Sequence, residues 1–174
     1  MNLVPQARFA EFIDFFPELE LPFSLLPDLQ QIPSDPIPLP GILQEAYILP
    51  FEGDEMDEYT EYVPYGRIAG LKSFHAMIYW KAGVLRYEYI LATYTLDGHP
   101  ISHAIIGGMR YEAEGTIHSV AVINEVLRIT IAEGLVDEDD PLGSTVQNET
   151  QTYFMAIRPT GEIIYEVNEE NKKE

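Results

Sequence analysis

The sequence contains no cysteine among its 174 residues. Disulfide scaffolds, cysteine-ligated zinc, iron–sulfur clusters and thiol catalysis all need that side chain and are therefore excluded. Basic charge is also scarce, with 10 Lys and Arg residues against 29 Asp and Glu residues and a formal net charge of -19. Because phosphate groups are bound by an excess of Lys and Arg, this charge argues against nucleic acid and against an anionic membrane surface. If the partner is charged, we expect a basic protein.

Long apolar runs are missing as well. No segment approaches the ~20 apolar residues that a membrane-spanning helix requires. Near the N-terminus, Arg8, Glu11 and Asp14 interrupt the apolar positions, whereas a secretory signal has an unbroken apolar stretch. The sequence therefore predicts a cytoplasmic protein without a membrane segment.

The composition that is present is typical of a folded globular domain, with 46% hydrophobic and 22% charged residues. A chain of this length predicts one domain over residues 1–174. Residues 1–62 hold one basic residue and 13 acidic ones, whereas residues 63–174 hold 9 basic and 16 acidic ones. Within the domain we predict a helical and proline-rich arm over 1–62, a β-meander over 63–168 and a disordered tail over 169–174.

Nine of the 13 prolines lie in the first 50 residues. Proline has no backbone N–H and biases the preceding residue toward extended conformations, so the segment 21–40 cannot form a helix or a central strand. Disordered linkers are poor in large apolar residues, but this segment is rich in them. We therefore predict that 17–40 is an extended arm lying on the core. The alternative is a ligand for an SH3-type partner, although such ligands are usually polar and basic between the prolines.

Two short helices are predicted on either side of this arm. Apolar residues in each follow the spacing of one helical face. We expect Pro17 to end the first helix, and we place Pro40 near the start of the second and Pro50 at its end. The apolar face of the first helix contains Phe9, Phe12, Ile13 and Phe16, and that of the second contains Ile42, Leu43, Ala46 and Tyr47.

After residue 62 the hydrophobic pattern acquires a period of two, which predicts strands joined by tight turns. The eight predicted strands cover about 62–70, 74–82, 85–96, 99–107, 115–123, 126–133, 151–158 and 162–168. The predicted turns are Ala82-Gly83, Asp97-Gly98, Gly107-Gly108, Asn124-Glu125, Glu133-Gly134 and Thr160-Gly161.

Short links force neighbouring strands to be antiparallel, because a parallel crossover needs a dozen or more residues. Large side chains occur on both faces of 74–82, as expected for a central strand covered on two sides. The predicted fold class is mainly β, with α+β as second choice. We expect an antiparallel meander that curls into a half-barrel or barrel, with the arm and the two helices packed on it.

Three local patterns carry a resemblance: the sequence FPELELPF over 16–23, LATYTLDG over 91–98 and RPTGEII over 158–164. Together they resemble a diffuse group of bacterial β-meander proteins of uncharacterised function, common in the Bacteroidetes. The resemblance implies an N-terminal arm rich in phenylalanine and proline, followed by strands joined by Asp-Gly or Asn-Gly turns. Some members are lipoproteins with a lipobox cysteine, which this chain lacks. The group implies no catalytic residues.

Candidate metal ligands come from two parts of the chain. A zinc site formed from strands would combine His103, His118 and a carboxylate. The densest acidic run contains Asp54, Asp57 and Glu58, but it lacks the glycine-centred ligand order of an EF-hand loop. We favour partly exposed histidines and solvated loop charge over these sites, with weak zinc or calcium binding as the alternative. No metal or other cofactor is predicted.

No motif nominates a catalytic centre. Ser119 and Ser144 lack the Gly-x-Ser-x-Gly context of a hydrolase nucleophile, and Gly107-Gly108 is too short for a phosphate-binding loop. We therefore predict a non-enzymatic binding or protein-interaction domain. One alternative is an acidic inhibitor that neutralises a basic toxin or nuclease, since a charge of -19 would attract a cationic partner. Another is a β-barrel that holds an apolar small molecule. The sequence leaves the oligomeric state open.

Overall fold

A computed structural model describes residues 4–27, 37–53, 57–136 and 150–167, with side chains in the first helix described from Arg8 onward. The predicted tail, the middle of the arm and residues 137–149, which include the acidic sequence DEDD at 137–140, lie outside the described residues.

The first helix, α1, spans Val4–Asp14 and ends before Pro17, as predicted. The second helical segment begins after Pro40 and consists of α2 (Gly41–Leu43), a π-helical turn (Gln44–Ile48) and α3 (Leu49–Glu52). The prediction that Pro50 ends this segment is wrong. The Leu49 N–H donates to the carbonyl of Gln44, five residues back, so a wider turn places Pro50 in the first turn of α3. Proline is tolerated there because a first-turn N–H has no partner within its helix.

The fold is mainly β, as predicted: among the described residues, 53% lie in strands and 15% in helices. Each of the eight predicted strands is present, and two more lie in the arm. These two contain only two and three residues, too few to show a period in a proline-rich sequence. The strands are β1 (Glu18–Leu19), β2 (Phe23–Leu25), β3 (Glu61–Ile68), β4 (His75–Ala82), β5 (Arg86–Tyr94), β6 (Pro100–Glu112), β7 (Gly115–Ile123), β8 (Arg128–Val136), β9 (Gln151–Ile157) and β10 (Ile163–Glu166).

The strands form one sheet in the order β1-β3-β4-β5-β6-β7-β8-β9-β10, and β2 pairs with β7. All pairs are antiparallel except β1 with β3. The sheet is curled but does not close into a barrel: among the described strands, β1 and β10 stand at its two ends. The predicted meander is therefore confirmed in its half-barrel form.

The sheet curls because β6 and β7 pair along only part of their length. Residues 108–112 of β6 pair with 115–119 of β7, whereas 121–123 of β7 pair with β2. The second half of the sheet, which contains β7 to β10, then lies against the first half, which contains β3 to β5. Thr93 Oγ1 donates to the carbonyl of Gly161 at 2.6 Å, at the turn between β9 and β10.

Both faces of the first half of the sheet are covered. Alternate residues of β4 and β5 enter two separate hydrophobic clusters, as the alternation predicts. One cluster lies between the two halves of the sheet, and the other lies between the sheet and the helices. The first contains, among others, Ala76, Ile78, Trp80, Tyr89, Leu91, Ala121, Ile129 and Met155. The second contains, among others, Phe9, Phe12, Phe16, Tyr47, Met77, Tyr79, Ile90 and Tyr94.

Two predicted turns are wrong. Gly107-Gly108 lies inside β6, and Glu133-Gly134 lies inside β8. Strand β6 continues for 13 residues with a register shift opposite Tyr89, so the chain reverses only after Glu112. The glycine pair is therefore paired within the sheet beside a bulge at Ile106 and forms no turn.

Candidate functional site

One row of directly paired residues runs across six strands. Directly paired residues stand side by side from β4 to β9. The row changes face at Gly108: Lys81 and Glu88 alternate with residues of the cluster beneath the helices, and Ser119 and Glu133 alternate with residues of the cluster between the two parts of the sheet. At the centre of this row Gly108 separates Glu88 from Ser119 and contributes no side chain. We call the set the polar row; its members are Lys81, Glu88, Gly108, Ser119, Glu133 and Gln151.

Glycine is required at position 108. Its φ angle is 130°, and a Cβ atom there would lie 2.0 Å from the carbonyl oxygen of Tyr87. No other residue could therefore occupy the position without moving β5. The gap in the polar row follows from this close approach of two backbones.

A cleft of about 230 Å³ opens at this gap. Four members of the polar row line it, together with apolar residues of β6 to β9 and two tyrosines of β9 and β10. A second opening of about 430 Å³ shares Arg110, Ile117, Glu133 and Tyr153 with it and extends to Thr150 and Gln151. The residues that line the first cleft include Glu88, Gly107, Gly108, Arg110, Ile117, Ser119, Ile131, Glu133, Tyr153, Met155 and Tyr165.

Among the described residues that line the cleft, Arg110 is the one basic side chain, and it is paired with two carboxylates. Arg110 Nε donates to Glu112 Oε1 at 2.8 Å, and its terminal nitrogen pairs with Glu133. Burial opposes the charge of Arg110, but these two partners outweigh it and raise its pKa above the ordinary value. Glu88 and Glu114 add further negative charge to the two openings, so carboxylates exceed the single cation.

Glu88 differs from the other carboxylates of the cleft in its burial. Its side chain is 10% exposed, and its ion pair with Arg86 is 3.4 Å long and formed by a side chain that is 62% exposed. Burial raises the pKa of the Glu88 carboxyl, and the charges of Arg86 and Lys81 oppose that rise. Lys81 itself pairs with Glu52, whose carboxylate also accepts a hydrogen bond from Tyr79 Oη at 3.1 Å. Glu88 is therefore a buried carboxylate with a long, loosely held partner.

The described acidic candidates for a metal site, Asp57 and Glu58, precede β3 and are not among the residues that line the cleft. Asp54 falls outside the described residues, and Asp57 and Glu58 are exposed. The Asp57 carboxylate accepts hydrogen bonds from Thr60 Oγ1 at 2.9 Å and from the N–H of Tyr59 at 2.8 Å. The first of these bonds, then the second, lowers the pKa of Asp57. In the described part of the loop, this carboxylate shapes a turn.

The histidine candidates are not assembled into a site. His103 lies in the part of β6 that does not pair with β7. Its ring centroid is 4.8 Å from that of Phe51. His118 lies in β7 opposite Met109, and burial lowers its pKa. Within the four described ranges, no three His, Asp or Glu side chains are grouped so that they could hold a metal ion.

Sequence reasoning missed both Glu88 and Gly108. The signal for Glu88 was a charged residue inside the apolar run 87–94, where both neighbours are tyrosines. The signal for Gly108 was present but was interpreted as a turn. Ser119, a candidate nucleophile without a motif in the sequence, is 8% exposed and lines the cleft.

Comparisons with protein-family models, with curated proteins and with solved structures found no match to this chain. Among the helices of the described ranges, none combines the length and the hydrophobicity needed to cross a bilayer.

Proposed function

We propose that this chain is a non-catalytic protein-interaction domain whose cleft receives a basic segment of a partner protein. The observation that carries the proposal is the gap at Gly108, which has a carboxylate on each side in the polar row, Glu88 and Glu133. Apolar side chains of Ile131 and Met155 line the same cleft.

The size of the cleft suits one side chain better than a large ligand. Its volume of about 230 Å³ is below the ~300–1,000 Å³ typical of pockets for drug-sized molecules. Lysine and arginine bury their aliphatic stems along apolar surface while the charged end reaches polar groups. In the proposed complex the stem contacts the apolar wall and the charged end meets a carboxylate.

The charge around the cleft favours the same class of partner. Most described basic side chains are already paired with carboxylates: Arg67, Lys81, Arg86, Arg110, Arg128 and Arg158. Many described acidic side chains have no ion pair within the described ranges: Glu11, Asp14, Glu20, Glu45, Asp57, Glu58, Glu61, Glu114 and Glu125. Uncompensated negative charge attracts a cationic partner over long distances and raises its rate of association.

An acidic inhibitor of a basic toxin or nuclease is a specific form of this proposal, and the uncompensated charge supports it. Binding of an apolar small molecule has less support, because the sheet is not closed into a barrel and the cleft is small. A cytoplasmic location remains a prediction from the sequence.

The proposal can be tested by titrating the full chain with basic peptides while recording amide proton–nitrogen correlation spectra. The probe is a Gly-Ser peptide with isolated lysine and arginine residues, and its control replaces each of them with glutamine. We expect saturable shifts at Gly107, Gly108 and Ser119 with the basic peptide only, weakening as salt is added. Shifts confined to exposed acidic residues such as Glu45, or equal shifts with both peptides, would contradict the proposal.

A further inference from the structure

We infer that Glu88 is the residue of the cleft that pairs with the cationic end group of the ligand, an ammonium or a guanidinium group. The inference rests on the binding role proposed for the cleft and adds to it the residue and the chemical group that are recognised.

Glu88 is a buried carboxylate with a weak ion pair. Its side chain is nine-tenths buried, and within the described ranges its one ion pair is the 3.4 Å contact with the mostly exposed Arg86. A buried charge is costly unless it is paired and hydrogen-bonded. Glu88 is thus a strong hydrogen-bond acceptor whose one ion pair among the described residues is long.

The cations that neighbour Glu88 in the polar row and the cleft have other partners. Lys81 is paired with Glu52, and Arg110 is paired with Glu112 and Glu133. Glu52 shows how this fold satisfies a buried carboxylate, because it has both Lys81 and the hydroxyl of Tyr79. Glu88 lacks an equivalent pair of donors among the described residues.

The cleft opens beside Glu88. The adjacent position in the polar row is Gly108, and the next is Ser119, which is 8% exposed. Glu88 and Ser119 line the same cleft, and a cation there can donate to the carboxylate of Glu88. The apolar side chains of the cleft can contact the alkyl part of the same ligand.

The test uses small probes on the full chain: butylammonium and butylguanidinium, with butanol as the neutral analogue. We expect saturable shifts of the amides of Gly108 and Ser119 with both cations and not with butanol. Glu88→Gln should weaken binding of the cations by about tenfold or more. Glu125→Gln removes the same charge from an exposed turn and should leave binding unchanged.

A second readout distinguishes recognition from a structural role. The carboxyl carbon resonance of Glu88 should titrate at lower pH when butylammonium is bound, because an adjacent cation favours the ionised carboxylate. The groups that already act on this carboxyl are Arg86, Lys81, Glu52 and Arg110, and their resonances serve as internal references. If Glu88→Gln fails to fold, the same titration of Glu88 in the wild-type chain still decides the question.

Failure of the inference and failure of the proposed function give different results. If basic peptides bind the cleft equally well in wild type and Glu88→Gln, the inference is overturned while the proposed function stands. If butylammonium binds through Glu88 but basic peptides do not bind the cleft, the inference stands and the proposed function fails. If neither cation binds at concentrations up to about 50 mM, the inference is overturned, since even weak recognition should appear there.

Discussion

The hydroxyl of Tyr94, on β5, donates a hydrogen bond of 2.7 Å to the backbone carbonyl of Tyr47, in the π-helical turn. Burial raises the pKa of Tyr94, so the hydroxyl keeps its proton. This bond joins the helical layer to the middle of the sheet at the point where the helix departs from α-helical geometry. The packing of the arm region is thus specified by a polar contact as well as by apolar area.

Removing that bond should destabilise the protein. We expect Tyr94→Phe to lower the free energy of unfolding by about 1–3 kcal/mol, because it leaves the buried carbonyl of Tyr47 without this donor. Urea denaturation of the full chain measures the change. Tyr165→Phe is the control, since Tyr165 is 70% exposed and its loss of a hydroxyl should change little. Equal effects in the two variants would show that the Tyr94 bond adds no stability.

The apolar face of α1 should be essential for folding. Phe12 is fully buried and contacts the rings of Phe16, Tyr47 and Tyr94. Phe12→Ala should cost about 3–5 kcal/mol of unfolding free energy, from lost burial and the cavity left behind. Glu11→Ala, at an exposed position of the same helix, should change the unfolding free energy by less than about 0.5 kcal/mol. A small effect at position 12 would mean that α1 is detachable from the sheet.

The two central glycines of β6 should respond differently to alanine. A Cβ atom at Gly107 would meet Ser119, Tyr89 and Ala121 at 3.5 to 3.9 Å, which is ordinary contact. Gly107→Ala should therefore fold with near wild-type stability and weaken ligand binding by reducing the cleft. Gly108→Ala should destabilise by about 1–3 kcal/mol or more, because of its φ angle and the clash with Tyr87. Thermal unfolding and peptide titration of both variants check this, and similar stability for the two would contradict the described bulge.

Replacing Glu88 should stabilise the protein at neutral pH. Burial raises the pKa of this carboxyl in the folded state, so the folded chain holds the proton to higher pH than the unfolded chain does. Stability is then lost as pH rises from the unfolded pKa, about 4.3, through the raised folded pKa. We expect Glu88→Gln to raise the melting temperature near pH 7 and to have little effect near pH 3. A lower melting temperature of Glu88→Gln at neutral pH would show that the pair with Arg86 is net stabilising.

Much of the architecture could be predicted from the residues alone. Strand β4 is an example: Ala76, Ile78 and Trp80 enter one cluster and Met77 and Tyr79 enter the other, as their alternation indicates. The turn at Asp97-Gly98 is also present, with Gly98 at a φ angle of 93°. Such features depend on the spacing of apolar residues and on turn-forming residues, which are local properties of the sequence. They can therefore be predicted without knowing which strand lies beside them.

The errors share a different cause. Pro50 continues a helical segment because a wider π-helical turn precedes it, and Gly107-Gly108 lies in a strand because β5 approaches it closely. Neither the wider turn nor the neighbouring strand is visible in a window of a few residues. The same limit hid strands β1 and β2, which exist only through pairing with β3 and β7.

The sequence by itself determined the class of fold, the two-sided burial of the central strands and the acidic charge, because periodicity and composition are properties of the residues alone. Only the tertiary structure decided where β6 and β7 separate, that Gly108 stands between Glu88 and Ser119, and that Glu88 is buried beside a cleft. Cross-strand register determines these relationships, since it joins residues that are distant in the chain.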